Sequence, residues 1–207
     1  MLQMVNGGGF FEKYTWYFAN MLEKMIKRLI QLIRACCISL HKNIELNDIW
    51  NTRISNTARF GGVGKIHCQG AIELLNNAAV MSGTKQATLE IGQNVFINRN
   101  VIIACRKHIE IGAGTVIGPN VVIYDHDHRF DANGRVKESA PNPYKEGDVI
   151  VGKNVWLGAG AILLRGTNIG DNTIIAAGAI VKGKIPEGVL VRRENNNIIE
   201  KLENKCS

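Results

Sequence analysis

The sequence predicts a mainly β protein: a parallel β-solenoid of triangular coils, preceded by one amphipathic α-helix and interrupted by one long loop. Three observations carry this. Aliphatic residues recur every sixth position over most of the chain, small or turn-forming residues follow many of them, and an earlier stretch keeps helical periodicity instead. The division that follows is a helical segment over 1–57, a repeat domain over 58–191 carrying a loop at 124–148, and a tail over 192–207.

The helix comes first. Between Tyr14 and Leu40 the apolar residues Phe18, Leu22, Met25, Leu29, Leu32 and Ile33 recur at helical spacing, with Asn20, Lys24, Lys27, Gln31 and Arg34 opposite. Lys24, Lys27, Arg28 and Arg34 break any uncharged run of about 18 apolar residues, so the helix is not expected to span a bilayer. Its apolar stripe can pack on the body or on a second subunit, or lie on anionic lipid as a basic interfacial helix. The N-terminus, MLQMVNGGGFFEKY, lacks the early basic cluster of a secretory signal, which points to a cytoplasmic protein, at most peripheral at the inner face of a membrane.

Composition is compatible with this. The 207 residues are 45% apolar, enough for one core, and the formal net charge of +7 favours anionic partners without choosing among them. Cys36, Cys37, Cys68, Cys105 and Cys206 are odd in number and form no CxxC pair, so free thiols and no disulfide are expected.

In the repeat domain the aliphatic positions line up as Ile91, Ile97, Ile103, then Ile111, Ile117, Ile123, then Val151, Leu157, Leu163, then Ile169, Ile175, Val181. Gly or Ala often comes next, and Asn or Asp soon after, as in IGQN, IGPN, VGKN and IGDN. Such a pattern sends one aliphatic side chain inward per short strand and then turns the chain where Gly or Asn tolerates positive φ. Three strands close a triangle, and stacked triangles bury a column that no single coil could bury.

In a solenoid every extra residue must leave the coil. Ile103 to Ile111 spans eight residues instead of six, an excess near Arg106, Lys107 and His108. The larger excess lies between Ile123 and Val151, where 28 residues stand in place of six and the loop opens with YDHDHRFD. A long loop on a regular scaffold is a preferred carrier of function. A histidine can take a proton near neutral pH, and a neighbouring carboxylate can orient it, so a general base is the natural role for this cluster. Alternating Asp and His could instead meet on zinc, or the cluster could be a solvated loop.

These residues carry a resemblance to the hexapeptide-repeat family, whose members form left-handed parallel β-helices; it is clear over about 85–190 and looser over 58–84. Within that family VVIYDHDHRFD followed by VGKNVWLGAG resembles the maltose, galactoside and polysaccharide O-acetyltransferases. The resemblance implies direct acetyl transfer from acetyl-CoA, with no metal, to a sugar hydroxyl, by a homotrimer with CoA in grooves between subunits. It places His128 on the catalytic histidine, Asp131 on the acid and Asn98, in FINRN, on the acceptor-contacting asparagine. His126 stays open as a second acid-base group, a substrate partner or a surface residue. Arg129 stands where the sugar-acetylating branch has Pro.

The same resemblance projects the CoA contacts onto Trp156, Gly158, Ala159, Ala177, Gly178, Lys182 and Lys184, with Arg192 and Arg193 available to phosphates. The stretch VRRENNNIIEKL departs from the usual Gly-x-Pro-Ala, which leaves contacts to the adenine end open. The loop entry resembles the branch acting on polysaccharide or lipid-linked oligosaccharide precursors. Other classes fit less well. The γ-class carbonic anhydrases share the scaffold but need a His-x-x-x-x-His pair that His41, His67, His108, His126 and His128 do not supply. No aromatic series interleaves with basic residues as nucleic-acid binding would require. An N-acetyltransferase acting on an amino sugar and a catalytically silent trimeric scaffold remain as alternatives.

Overall fold

A computed structural model describes residues 8–137 and 140–192, with side chains from Trp16 onward. One helix, α1 (Gly8–Ser39), precedes a stack of short parallel strands that fall into three sheets of seven, seven and six strands. Successive strands visit the three sheets in turn, so each circuit is one triangular coil: the expected left-handed parallel β-helix. Face A runs from Ile44–Leu46 to Lys184–Ile185, face B from Arg53–Ile54 to Leu190–Val191, and face C from Arg59–Gly62 to Ile180–Val181. The coils begin at Ile44, within the segment that the periodicity groups with the helix; there the inward Leu46 and Ile54 of the first two strands, Ile44–Leu46 and Arg53–Ile54, stand eight positions apart, so the six-residue spacing is not kept. Arg193 and Cys206 lie outside the described residues.

The six-residue period is the reason for this shape. All twelve aliphatic positions named above are buried, at 2% exposure or less, in three columns. Each pairs with its counterpart in the next coil, as Ile97 with Ile117 on face B and Ile103 with Ile123 on face C. No coil is stable alone, because the one or two inward side chains of each strand find most of their apolar neighbours in the coils above and below. The corners follow the turn chemistry: Asn77, Asn94, Asn100, Asn120, Asn154 and Asn172 all hold positive φ, between 53° and 61°. At Gly112 a different demand rules, since a Cβ there would meet the Gly152 carbonyl carbon at 2.5 Å, in the coil above.

The second half of α1 reaches the first coil. Ala35 is fully buried and Ile38 packs against the core. Arg28 donates to the carbonyls of Thr52 and Trp50, and Arg34 to those of Asn56 and Ala58, at 2.7 and 2.6 Å for the latter two. No helix among the described residues is long and apolar enough to cross a membrane.

Candidate active site

The two excess segments stack on the same corner, between faces C and A, in successive coils. This is what builds the site. The extra residues at Arg106, Lys107 and His108 let three consecutive backbone amides point one way, a concavity suited to an anion. The Asp125 carboxylate fills it: Oδ1 and Oδ2 each accept from the Arg106 amide at 2.9 Å, and Oδ2 also accepts from those of Lys107 at 2.7 Å and His108 at 3.0 Å. Asp125 is fully buried. Burial raises its pKa, but the hydrogen bonds from His126, the Lys107 and Arg106 amides and the Cys105 thiol outweigh that, and the net effect holds the carboxyl below the usual aspartate range.

His126 comes next in the chain, with Nδ1 2.8 Å from Asp125 Oδ1. An ionised carboxylate can only accept, so Nδ1 carries the hydrogen and Nε2 presents its lone pair. Nε2 has no hydrogen-bond partner among the described residues. The excursion opens here as an antiparallel hairpin, His126–His128 against Tyr144–Glu146, with His128 opposite Tyr144. Tyr144 packs beside both rings, its centroid 5.3 Å from that of His126 and 4.7 Å from that of His128. Arg106 stacks on the tyrosine, its guanidinium carbon 3.7 Å from the ring centroid, and reaches Glu146 at 3.3 Å. Arg165 pairs with Asp127, and Lys107 with Asp148 at 2.9 Å, pinning both ends of the loop to the coils.

The remaining candidates fall elsewhere. His128 is exposed and has no carboxylate partner among the described residues. Asp131 sits at the tip of the excursion, where its carboxylate accepts from the Asn133 and Arg135 amides, both at 2.9 Å, and so closes a turn. Asn98 stands at the corner between faces B and C, its side-chain oxygen accepting from the Arg99 amide at 2.8 Å. A whole face separates that corner from His126, roughly 15 Å at about 3.3 Å per residue. Gly158, Ala159, Ala177 and Gly178 share the corner of Asn98, Trp156 lies on face B, and Lys182 and Lys184 lie near the corner of the histidines. One chain thus does not bring all the candidates together.

Gly158 and Gly178 differ in what they do. A Cβ on Gly158 would meet the Ala177 amide nitrogen at 2.5 Å, so stacking alone demands glycine there. Gly178 has φ of 69° and open space where a Cβ would stand. Cys105 is no nucleophile, because burial and then the Asp125 charge beside it raise its pKa and keep the thiol neutral. Burial, with Glu90 adding to it, pushes Cys68 up to about 12. His67 Nδ1 donates to the Glu90 carboxylate at 2.7 Å on face A, away from the site. Cys36, Cys37, Cys68 and Cys105 are all free, and no group of three metal-ligating side chains converges among the described residues.

Sequence reasoning named both halves of this site without joining them. The excess at Arg106 to His108 and the YDHDH stretch are separate on paper, and Asp125 passes for loop polarity. The signal that could have found it is register: Asp125 falls two residues after the inward Ile123, on the inward side of the strand.

Residues 148–183 match the family model described as bacterial transferase hexapeptide (six repeats). A Saccharomyces cerevisiae protein named as a putative acetyltransferase is 36% identical over 123 residues, 58% of this chain and 60% of that one. A putative lipopolysaccharide biosynthesis O-acetyl transferase of Escherichia coli, WbbJ, is 32% identical over 122 residues, 54% of this chain and 60% of that one. The chain thus spans about 60% of the length of these curated relatives. A variant of the N-acyltransferase AntD of Bacillus cereus, solved with dTDP-4-amino-4,6-dideoxyglucose and coenzyme A, superposes with a TM-score of 0.58 at 20% identity, over 71% of this chain and 77% of that one. This last likeness concerns the fold alone; the hexapeptide repeat itself is present in the chain.

Proposed function

We propose that this hexapeptide-repeat protein is an acetyl-CoA-dependent O-acetyltransferase acting on a sugar hydroxyl, of a polysaccharide or lipid-linked oligosaccharide precursor, in the cytoplasm. The observation that carries the reading is the His126–Asp125 pair: a histidine whose Nδ1 is fixed by a buried, ionised carboxylate and whose Nε2 has no hydrogen-bond partner among the described residues. His126 Nε2 takes the proton of the acceptor hydroxyl as its oxygen attacks the thioester carbonyl. The carbon–sulfur bond then breaks as the tetrahedral centre collapses, and the CoA thiolate leaves with the proton returned by the imidazolium. We place the base at His126 rather than at the position the family register gives, because an oriented tautomer is what a base requires and His128 lacks the partner that would supply it. His128, beside Tyr144 and more exposed, is then positioned to contact the acceptor.

The site is completed by a second copy of the chain. Asn98 and most of the projected CoA contacts occupy one corner and His126 another, so a single substrate touches both sets only between subunits. The outer faces favour such packing. On face B, Phe96, Val116, Trp156, Ile174 and Leu190 form one apolar row in register from coil to coil. Face C carries Ile102, Val122, Ile162 and Ile180 likewise. A homotrimer, the closed arrangement that uses both faces of each copy, satisfies this.

Incubating the protein with acetyl-CoA and a panel of sugars, nucleotide sugars and lipid-linked oligosaccharides, while following free thiol, tests the reading. Thiol release that depends on the acceptor supports it, and no release with any acceptor counts against it. A second reading, acylation of an amino sugar, draws on the amino-sugar complex of AntD, since the same base serves an amine. Alkaline hydrolysis of the product separates them: an ester is cleaved and an amide survives.

A further inference from the structure

Helix α1 presents the wrong side to its own body. At about 100° per residue, Phe18, Met21, Leu22, Met25, Ile26, Leu29, Ile30 and Ile33 sweep an apolar arc of roughly 180°. All eight are exposed, between 46% and 64%. The body is met from the opposite side, through Arg28, Arg34, Ala35 and Ile38. The two arginines therefore latch the helix by donating to first-coil carbonyls, and do not flank its apolar face as an interfacial cation would. The apolar arc points away from the solenoid.

Charge selects the occupant of that face. Residues 1–65 hold nine Lys or Arg against four Asp or Glu; with Arg28 and Arg34 turned to the body and set aside, seven against four still leave +3 in the helix and the first coils. Two copies docking through this end would bring like charges together, and an arc of half the circumference is far wider than the two-in-seven seam of a coiled coil. An anionic lipid surface suits both the width and the sign. We infer that α1 lies on an anionic bilayer with its apolar arc in the headgroup boundary, and that the Arg28 and Arg34 latch stands the solenoid on that surface by its first coil. This does not depend on the acyl-transfer reading, because it rests on the helix alone.

Flotation of the full chain with phosphatidylcholine vesicles, with and without phosphatidylglycerol, tests it. Binding is expected only with the anionic lipid, reduced several-fold by high salt. Leu22→Gln, Met25→Gln and Leu29→Gln together should weaken binding at least about tenfold, with the mass of the assembly and solenoid melting unchanged. Arg28→Gln with Arg34→Gln should keep vesicle affinity within about twofold, since those side chains face the body. Failure of the intact protein to float, a fall in the mass of the assembly in the triple variant, or loss of binding in the arginine pair would each overturn the inference.

Discussion

Oδ1 of Asp125 lies 2.8 Å from Nδ1 of His126, one residue along the chain, and the same carboxylate is held by three backbone amides from the coil before. The carboxylate cannot turn away, so the imidazole keeps one tautomer. Asp125→Asn retains the shape but lets the amide nitrogen face His126, which favours the wrong tautomer. Turnover should fall about 10²- to 10⁴-fold while acetyl-CoA affinity changes little. Steady-state kinetics beside calorimetric titration of CoA checks the split; an unchanged kcat would remove Asp125 from the reaction.

The two histidines of the hairpin can be ranked. His126→Ala should lose about 10²- to 10⁴-fold in kcat, and His128→Ala should act mainly on the KM of the acceptor. The reverse order would return the base to His128 and make the Asp125 contact a structural one. Because both rings touch Tyr144, Tyr144→Phe serves as a control for packing and should disturb each variant equally.

Acid should attack the same corner. The folded carboxyl of Asp125 titrates below its unfolded value, so its contribution to stability is present above the unfolded pKa and is lost as pH falls through the folded one, below about pH 4. In Asp125→Asn that part of the acid loss should disappear, from a lower starting stability. Thermal melts of both proteins between neutral pH and pH 3 measure the difference, and parallel pH profiles would contradict the assignment.

The fold was far more legible than the site, for a physical reason. Ile91, Ile97 and Ile103 advertise their burial by spacing alone, because each coil repeats the same demand. The Asp125 nest is made once, from an excess at Arg106 to His108 and a strand end 17 to 19 residues later, and no periodicity announces a pairing that happens once. Gly158 shows the opposite limit: its smallness reads as room for a ligand, yet the Ala177 backbone above it accounts for it. The helix pattern was plain from Phe18 to Ile33, whereas the side that meets the body depended on carbonyls of Thr52 and Asn56 that no side-chain pattern encodes.

The two corner glycines separate stacking from ligand contact. Gly158→Ala forces a methyl against the Ala177 backbone and should destabilise the solenoid by about 1–3 kcal/mol. Gly178→Ala meets open space and incurs only the strain of a left-handed residue, about 1 kcal/mol. If Gly178 also lets the pantetheine arm approach, its variant should bind CoA more weakly out of proportion to its small loss in melting temperature. Equal CoA affinity in both glycine variants and the parent would leave Gly178 with a turn role only.

Asn98 and His126 occupy different corners, which makes the shared site testable without a structure of the assembly. Asn98→Ala and His126→Ala should each be nearly inactive alone. If every site takes its asparagine from one copy and its histidine from the next, trimers refolded from equal amounts of the two variants contain some sites with both residues intact. With random assembly that fraction is about one quarter, since a site needs its histidine copy to be of one kind and its neighbour of the other. Activity should therefore recover to about a quarter of the parent's. Recovery would not occur if both residues acted within one chain or if the protein were a monomer, and mixing without refolding should recover nothing while the trimers stay intact.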